Sequence, residues 1–281
     1  MNLVSIAYGM GLASMSARLG GVLFAAIITA SLVIWVQWLR QSGPKALEES
    51  RPRRNCIPLY LPFLLLLVWL WLSVATATLI RQVSGVSQIA AGLGATAIVQ
   101  PFMIIGMSVM AVFLFAKGLK GIGLDARTLR GDLPGAAVNL AAVMPLVYLG
   151  IVVVDLLGGF FKPDFEIKVH EALKELTGTS DPLMRLLMVV SLTVITPIFE
   201  EILFRGFVQS KLRGYMRSAW LGILITSVMF AVVHPLHHWL AIFILSAGFG
   251  YAYERSGSLF RPIIMHVAFN TTSVVAALLS Q

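Results

Sequence analysis

Charge is what this chain has least of. Asp, Glu, Lys and Arg make up 12% of its 281 residues, about half the roughly 25% of an ordinary soluble domain. There is one cysteine, Cys56, so no internal disulfide can form; at the edge of an apolar run it reads as a plain interface thiol, with palmitoylation as the alternative. No internal repeat, low-complexity segment or soluble domain is evident, and the alternating pattern of a membrane β-barrel is absent. A cleavable signal peptide is not expected either. The only early charge is Arg18, and the apolar run after it is too long for a signal h-region.

What fills the chain instead is apolar: 58% of its residues are hydrophobic, more than a soluble fold could hide. They fall in long runs, each able to cross a hydrocarbon core of about 30 Å, which takes about 20 helical residues. Backbone groups in lipid must be satisfied within their own segment, so the runs are helices. The expected fold is an all-α, polytopic integral membrane protein with about eight transmembrane helices, near 19–39, 57–80, 95–116, 134–158, 186–208, 218–235, 238–253 and 258–279.

The formal net charge of +8 would hint at nucleic acid on a soluble protein. Here the basic residues sit between the apolar runs, which excludes that partner and sets orientation in the lipid bilayer. The first loop holds Arg40, Lys45, Arg51, Arg53 and Arg54; the third Lys117, Lys120, Arg127 and Arg130; the fifth Lys211, Arg213 and Arg217; the seventh Arg255 and Arg261. These odd loops are expected to be cytoplasmic and both termini outside. Among the even loops the second has only Arg81, and the sixth is little more than Pro235 to His238. The fourth, Gly159 to Arg185, mixes Asp164, Glu166, Glu171, Glu175 and Asp181 with Lys162, Lys168, Lys174 and Arg185 and is expected to form a short amphipathic helix outside the membrane.

Ionisable side chains inside a span are costly and mark candidate functional sites. They gather towards the C-terminus: Glu200, Glu201 and Arg205 in the fifth span, His234 at the end of the sixth, and His266 with Asn270 in the eighth. Asp155, alone near the end of the fourth span, is explained by interfacial solvation. Residues four apart share a helix face and adjacent ones do not. Glu201 and Arg205 can therefore pair, whereas the residue four after Glu200 is Phe204. One carboxylate is neutralised by its partner; the other projects from an apolar helix, as a general base requires. A structural polar clamp between helices is the alternative.

Span five runs on helically towards Arg213 and turns near Tyr215 to Arg217. Glu200 then lies about 16 residues before the turn and His234 about 18 after it, at similar depth if the two helices are antiparallel neighbours. His234 could otherwise be a headgroup-level histidine, the reading taken for His237 and His238. His266 and Asn270, four apart, could hold a developing oxyanion from one face, or join helices as polar glue. Ala247, Gly248, Gly250 and Ala252 allow close backbone approach, and Pro197 can open its helix and free a carbonyl.

The three blocks, Glu-Glu-x-x-x-Arg at 200–205, Phe-x-x-x-His at 230–234 and His-x-x-x-Asn at 266–270, resemble the CPBP family. That family joins type II CAAX prenyl endopeptidases to bacteriocin-processing and immunity proteins. Pro197-Ile-Phe, Arg205-Gly206 and Arg255-Ser-Gly-Ser-Leu carry the likeness further, over about Asp181 to Leu279. It divides the chain into N-terminal membrane helices (1–180), without a recognised motif, and a catalytic helical core (181–281). It implies an intramembrane endopeptidase in which Glu200 activates water, His234 orients Glu200 and its water, His266 and Asn270 stabilise the oxyanion, and Glu201 and Arg205 support the site.

No cofactor is then required. A zinc peptidase with Glu200, His234 and His266 as ligands is the minority alternative, although the helical His-Glu-x-x-His pattern is missing. A non-catalytic membrane scaffold or immunity protein is another, and a transporter a weaker one. The expected partner is a peptide or a membrane-anchored protein, prenylated or not, and the expected location a prokaryotic cell (inner) membrane.

Overall fold

A computed structural model describes residues 26–161, except 27, 39, 42 and 49, together with residues 171–279. The regular elements among them are helices: α1 (Ile28–Trp38), α2 (Leu61–Ser84), α3 (Gln88–Leu114), α4 (Leu129–Phe161), α5 (Glu171–Gly178), α6 (Pro182–Met216), α7 (Ala219–Val232), α8 (Trp239–Ser256) and α9 (Phe260–Leu279). Short helical turns complete them at Gly43–Leu47, Leu119–Ile122, Ala126–Thr128 and Leu236–His238. The all-α expectation is met.

Five helices, α2, the stretch Ala126–Phe161 that contains α4, α3, α6 and α9, are long and apolar enough to cross a membrane. The other three expected spans do not reach that standard among the described residues. α7 has 14 residues, about 21 Å of helix. α8 ends on Glu254, Arg255 and Ser256, which lowers its apolar character. α1 is described only over its last part, the start of that run lying outside the described residues, as do both chain termini, Arg18 and 162–170 of the fourth loop.

Local chemistry sets the helix ends. Ser87, Asp181 and Ser218 cap α3, α6 and α7, each side chain accepting from backbone N–H groups of the first turn, which otherwise have no partner. Gly257 closes α8 in the left-handed conformation, φ 72°, where a Cβ would be strained. α6 and α7 are joined through Arg217, also left-handed, φ 55°, so the turn falls where the sequence placed it.

Burial ranks the helices. Half of the most apolar window of α6 is buried, against 6% for that of α2. α2 pairs with α3 at the periphery and shows Leu67, Leu70 and Trp71 outward, as a lipid-facing helix must. α6 runs through the centre among α2, α3, α7, α8 and α9, while α4 closes the far side against α8 and α9. Small residues permit the contacts. A Cβ on Gly248 would lie 2.8 Å from Val143 of α4, and one on Gly206 would lie 2.6 Å from Ile122.

α6 is not a uniform α-helix. Ser191–Ile195 and Ile202–Gln209 are wound as π-helix, a form that is rare and recurrent at functional sites. In the first, the Thr196 N–H reaches back five residues to the Ser191 carbonyl. In that register the Leu192 carbonyl would be served by residue 197, a proline with no N–H. Asn270 of α9 takes the vacancy, its Nδ2 donating to the Leu192 oxygen at 2.9 Å. Pro197 thus frees a carbonyl, as its place in the sequence suggested.

Candidate active site

Two consecutive glutamates on α6 have opposite surroundings. Glu201 is wholly buried. Its Oε1 accepts from Nη1 of Arg205 at 2.9 Å and from Nδ1 of His266 at 2.8 Å. Arg205, also fully buried, donates through Nη2 to the carbonyl and hydroxyl of Ser246 on α8. Its guanidinium lies over the rings of Phe230, 4.8 Å away, and Phe249, 5.4 Å away. One ion pair therefore ties α6 to α7, α8 and α9. The i,i+4 pairing expected for Glu201 and Arg205 is present.

Glu200 makes none of these bonds. Its nearest recorded polar contact is Nε2 of His266, 3.7 Å from Oε2, too long for a hydrogen bond. Because Nδ1 of His266 donates to a carboxylate, which can only accept, the ring is fixed with Nε2 turned to Glu200. His266 thus stands between the two glutamates.

Glu200 faces a cavity of about 530 Å³, within the range of small-ligand sites. Its walls are largely apolar side chains of α3, α4, α5, α8 and α9, with Gln100, Thr196, Glu200, His234, His266 and Asn270 as the main polar groups. The structure therefore brings all four expected catalytic residues, Glu200, His234, His266 and Asn270, to one cavity, with Glu201 and Arg205 behind it. His234 is held by a 2.6 Å bond from Nδ1 to the Phe230 carbonyl. The carbonyl must accept, so Nδ1 carries the proton and Nε2 offers a lone pair. Asn270 spends one amide hydrogen on Leu192; the helix-joining role considered for it is present, and the second hydrogen is free for other use.

Three wall residues escaped sequence reasoning. Gln100 of α3, about 3% exposed, accepts from the Thr196 hydroxyl through Oε1 at 2.8 Å, which leaves its Nε2 as a donor. Thr196 lies four residues before Glu200, on the same face of α6. A carboxamide beside Pro101 in a 27-residue apolar helix was the available signal, had the search extended from ionisable to amide side chains. His238, read as interfacial, also lines the cavity, whereas His237 does not.

Asp155 is exposed near the C-terminal end of α4, as an interfacial residue would be. Cys56 is exposed. Among the described residues no three of His, Cys, Asp and Glu gather in a group able to hold a metal ion.

A helical, multi-pass membrane architecture with an apolar cavity and convergent carboxylate, imidazole and amide groups defines the class of protein. Residues 182–272 match the family described as Rce1-like, type II CAAX prenyl endopeptidase Rce1-like, the likeness that the three motif blocks carry. The chain is 30% identical over 95 residues to an Escherichia coli protein named "Uncharacterized 24.3 kDa protein". It is 33% identical over 93 residues to "Putative membrane peptidase YdiL" of Bacillus subtilis (strain 168). These alignments cover 32% and 33% of this chain and span 44% and 38% of the two relatives. No solved structure matches the chain.

Proposed function

We propose that the protein is an intramembrane endopeptidase in which Glu200 activates water. The observation that carries this reading is the contrast within the glutamate pair. Glu201 holds every strong partner, and Glu200 is left facing a cavity that three imidazoles and two amides share. A carboxylate without a cation at hydrogen-bond distance, next to space for water, is the arrangement of a general base.

The steps follow from the groups present. Water lies between Glu200 and the Nε2 lone pair of His234. As it attacks the peptide carbonyl, the proton moves to Glu200 and the C–O bond forms. Donors around the new oxyanion are the second amide hydrogen of Asn270 and Nε2 of Gln100, with the His266 imidazole beside them. Collapse breaks the C–N bond, and Glu200 returns the proton to the leaving amine. Glu201 and Arg205 position His266 and do not touch the substrate. The largely apolar walls suit a membrane-anchored segment, and the Rce1-like match makes a prenylated one a candidate.

The test compares the peptides in membranes carrying the wild-type protein with those carrying Glu200→Gln at equal abundance. Peptides present only with the wild type are expected. Identical peptide sets from both would overturn the proposal.

A further inference from the structure

The cavity occupies one end of the bundle. Its upper wall is Ala172 and Leu173 of α5, from the fourth loop, and His238, from the sixth. α3 and α6 contribute their early turns there, through Leu93, Gln100 and Leu192, and α9 its late ones, through Ser273 and Val274. Among the described residues, none of the first, third, fifth or seventh loop lines it.

The opposite end is closed. Beneath Glu200 lies the Arg205 layer, fully buried between Phe230 and Phe249. Below that, Gln209 donates to Glu254 and to the Gly250 carbonyl. Arg53 and Arg213 flank Glu254 at 4.0 and 3.9 Å. Tyr253 donates to the Ile122 carbonyl at 2.8 Å and carries the Arg53 guanidinium over its ring at 3.5 Å. This plug stitches the first, third and fifth loops to α8, and these three loops hold twelve Lys and Arg against five in the second and fourth, Arg81, Lys162, Lys168, Lys174 and Arg185. Basic loops stay on the cytoplasmic side of a membrane.

We infer that the cavity is entered from the non-cytoplasmic face, so that its substrate is a polypeptide segment exposed on, or already carried to, that side. The inference takes the peptidase reading for the nature of the ligand but draws the side of entry from cavity position and loop charge alone. It separates this site from any that would act on a tail kept in the cytoplasm. α5, docked by Leu176 against Met188 and Val274, is the element such a segment must pass.

Sided labelling tests it in the full chain, expressed in intact bacterial cells. Cys56→Ala removes the single thiol; Lys174→Cys on α5, Lys120→Cys in the third loop and Ser273→Cys on the cavity wall are then added one at a time. The probe is a membrane-impermeant maleimide, with a permeant one as control. Lys174→Cys and Ser273→Cys should label from outside, and Lys120→Cys only after permeabilisation. Lys120→Cys labelled in intact cells with Lys174→Cys protected would overturn the inference, as would Ser273→Cys reached only after permeabilisation.

Labelling needs no catalysis, so adding Glu200→Gln must leave the pattern unchanged. The expected pattern with no wild-type-specific peptides would sink the peptidase reading alone. The reversed pattern with such peptides would sink only the side of entry.

Discussion

Glu200→Gln and Glu201→Gln are the same chemical change at neighbouring positions, and their effects on stability should differ by several kcal/mol. At Glu201 the substitution weakens two charge-assisted bonds, from Arg205 and from His266. A hydrogen bond to a charged group contributes about 1.5–3 kcal/mol and a neutral one about 0.5–1.5, so the two together lose about 2 kcal/mol. The substituted amide also puts N–H groups where Oε2 is buried with no partner, a further cost of about 1–3 kcal/mol. The sum, about 4 kcal/mol, agrees with the roughly 3–5 kcal/mol for removing one partner of a buried ion pair. At Glu200 no hydrogen bond is lost and the side chain borders the cavity, so the cost should stay under about 1 kcal/mol. For a chain of this size each kcal/mol moves the melting point by roughly 2–4 °C, which puts Glu201→Gln about 8–16 °C below wild type and Glu200→Gln within about 4 °C. The assay is the apparent unfolding midpoint in one detergent at one scan rate. Combining Glu201→Gln with Arg205→Met should recover part of the loss, because no buried charge is then stranded. Equal midpoints for the two single variants, or no recovery in the double variant, would refute the reasoning.

Gly206→Val should lower the midpoint by the equivalent of about 1–3 kcal/mol, since its side chain would enter the space held by Ile122; an unchanged midpoint would count against that contact. Asn270→Leu should cost about 1–3 kcal/mol by leaving the Leu192 carbonyl without its donor, and should also reduce product, as peptide quantification would show. Gln100→Leu should lower product about tenfold, a loss of about 1.4 kcal/mol in transition-state stabilisation, with the midpoint within about 1.5 kcal/mol of wild type. Proteolysis should persist after exhaustive treatment with a strong chelator; loss on chelation with recovery on added zinc would restore the zinc reading.

The legible parts of the molecule were those governed by local spacing. The four-residue interval from Glu201 to Arg205 gave their pairing, and the phenylalanine at 204 left Glu200 apart. Tyr215 to Arg217 marked the turn between α6 and α7, and Pro197 flagged an irregular helix. Illegible parts depended on long-range packing. That His266 reaches Glu201 as well as Glu200 depends on how α9 is rotated against α6, which no periodicity within either helix encodes. Gln100 and Thr196 meet across 96 residues, and neither carries a charge to draw attention. The short α7 and the polar end of α8 look like spans in an apolar window because a sequence does not reveal how much protein surrounds a helix. Among the described residues five helices meet the length and apolarity needed to cross, so the expected count of about eight is not reached there by that measure.

The widened winding of α6 from Ile202 to Gln209 has a consequence for heredity. A π turn holds more residues than an α turn, so deleting one residue there would let the helix relax to its commoner form. The lost residue would then be absorbed by the tighter winding, leaving Gln209 near Glu254 and Ser210 near Tyr253. A residue lost from a uniformly α-wound stretch has no such slack and would swing everything downstream by about 100°. A codon lost between the glutamates and the basic turn should therefore be tolerated more readily than one lost from the α-wound helices around it.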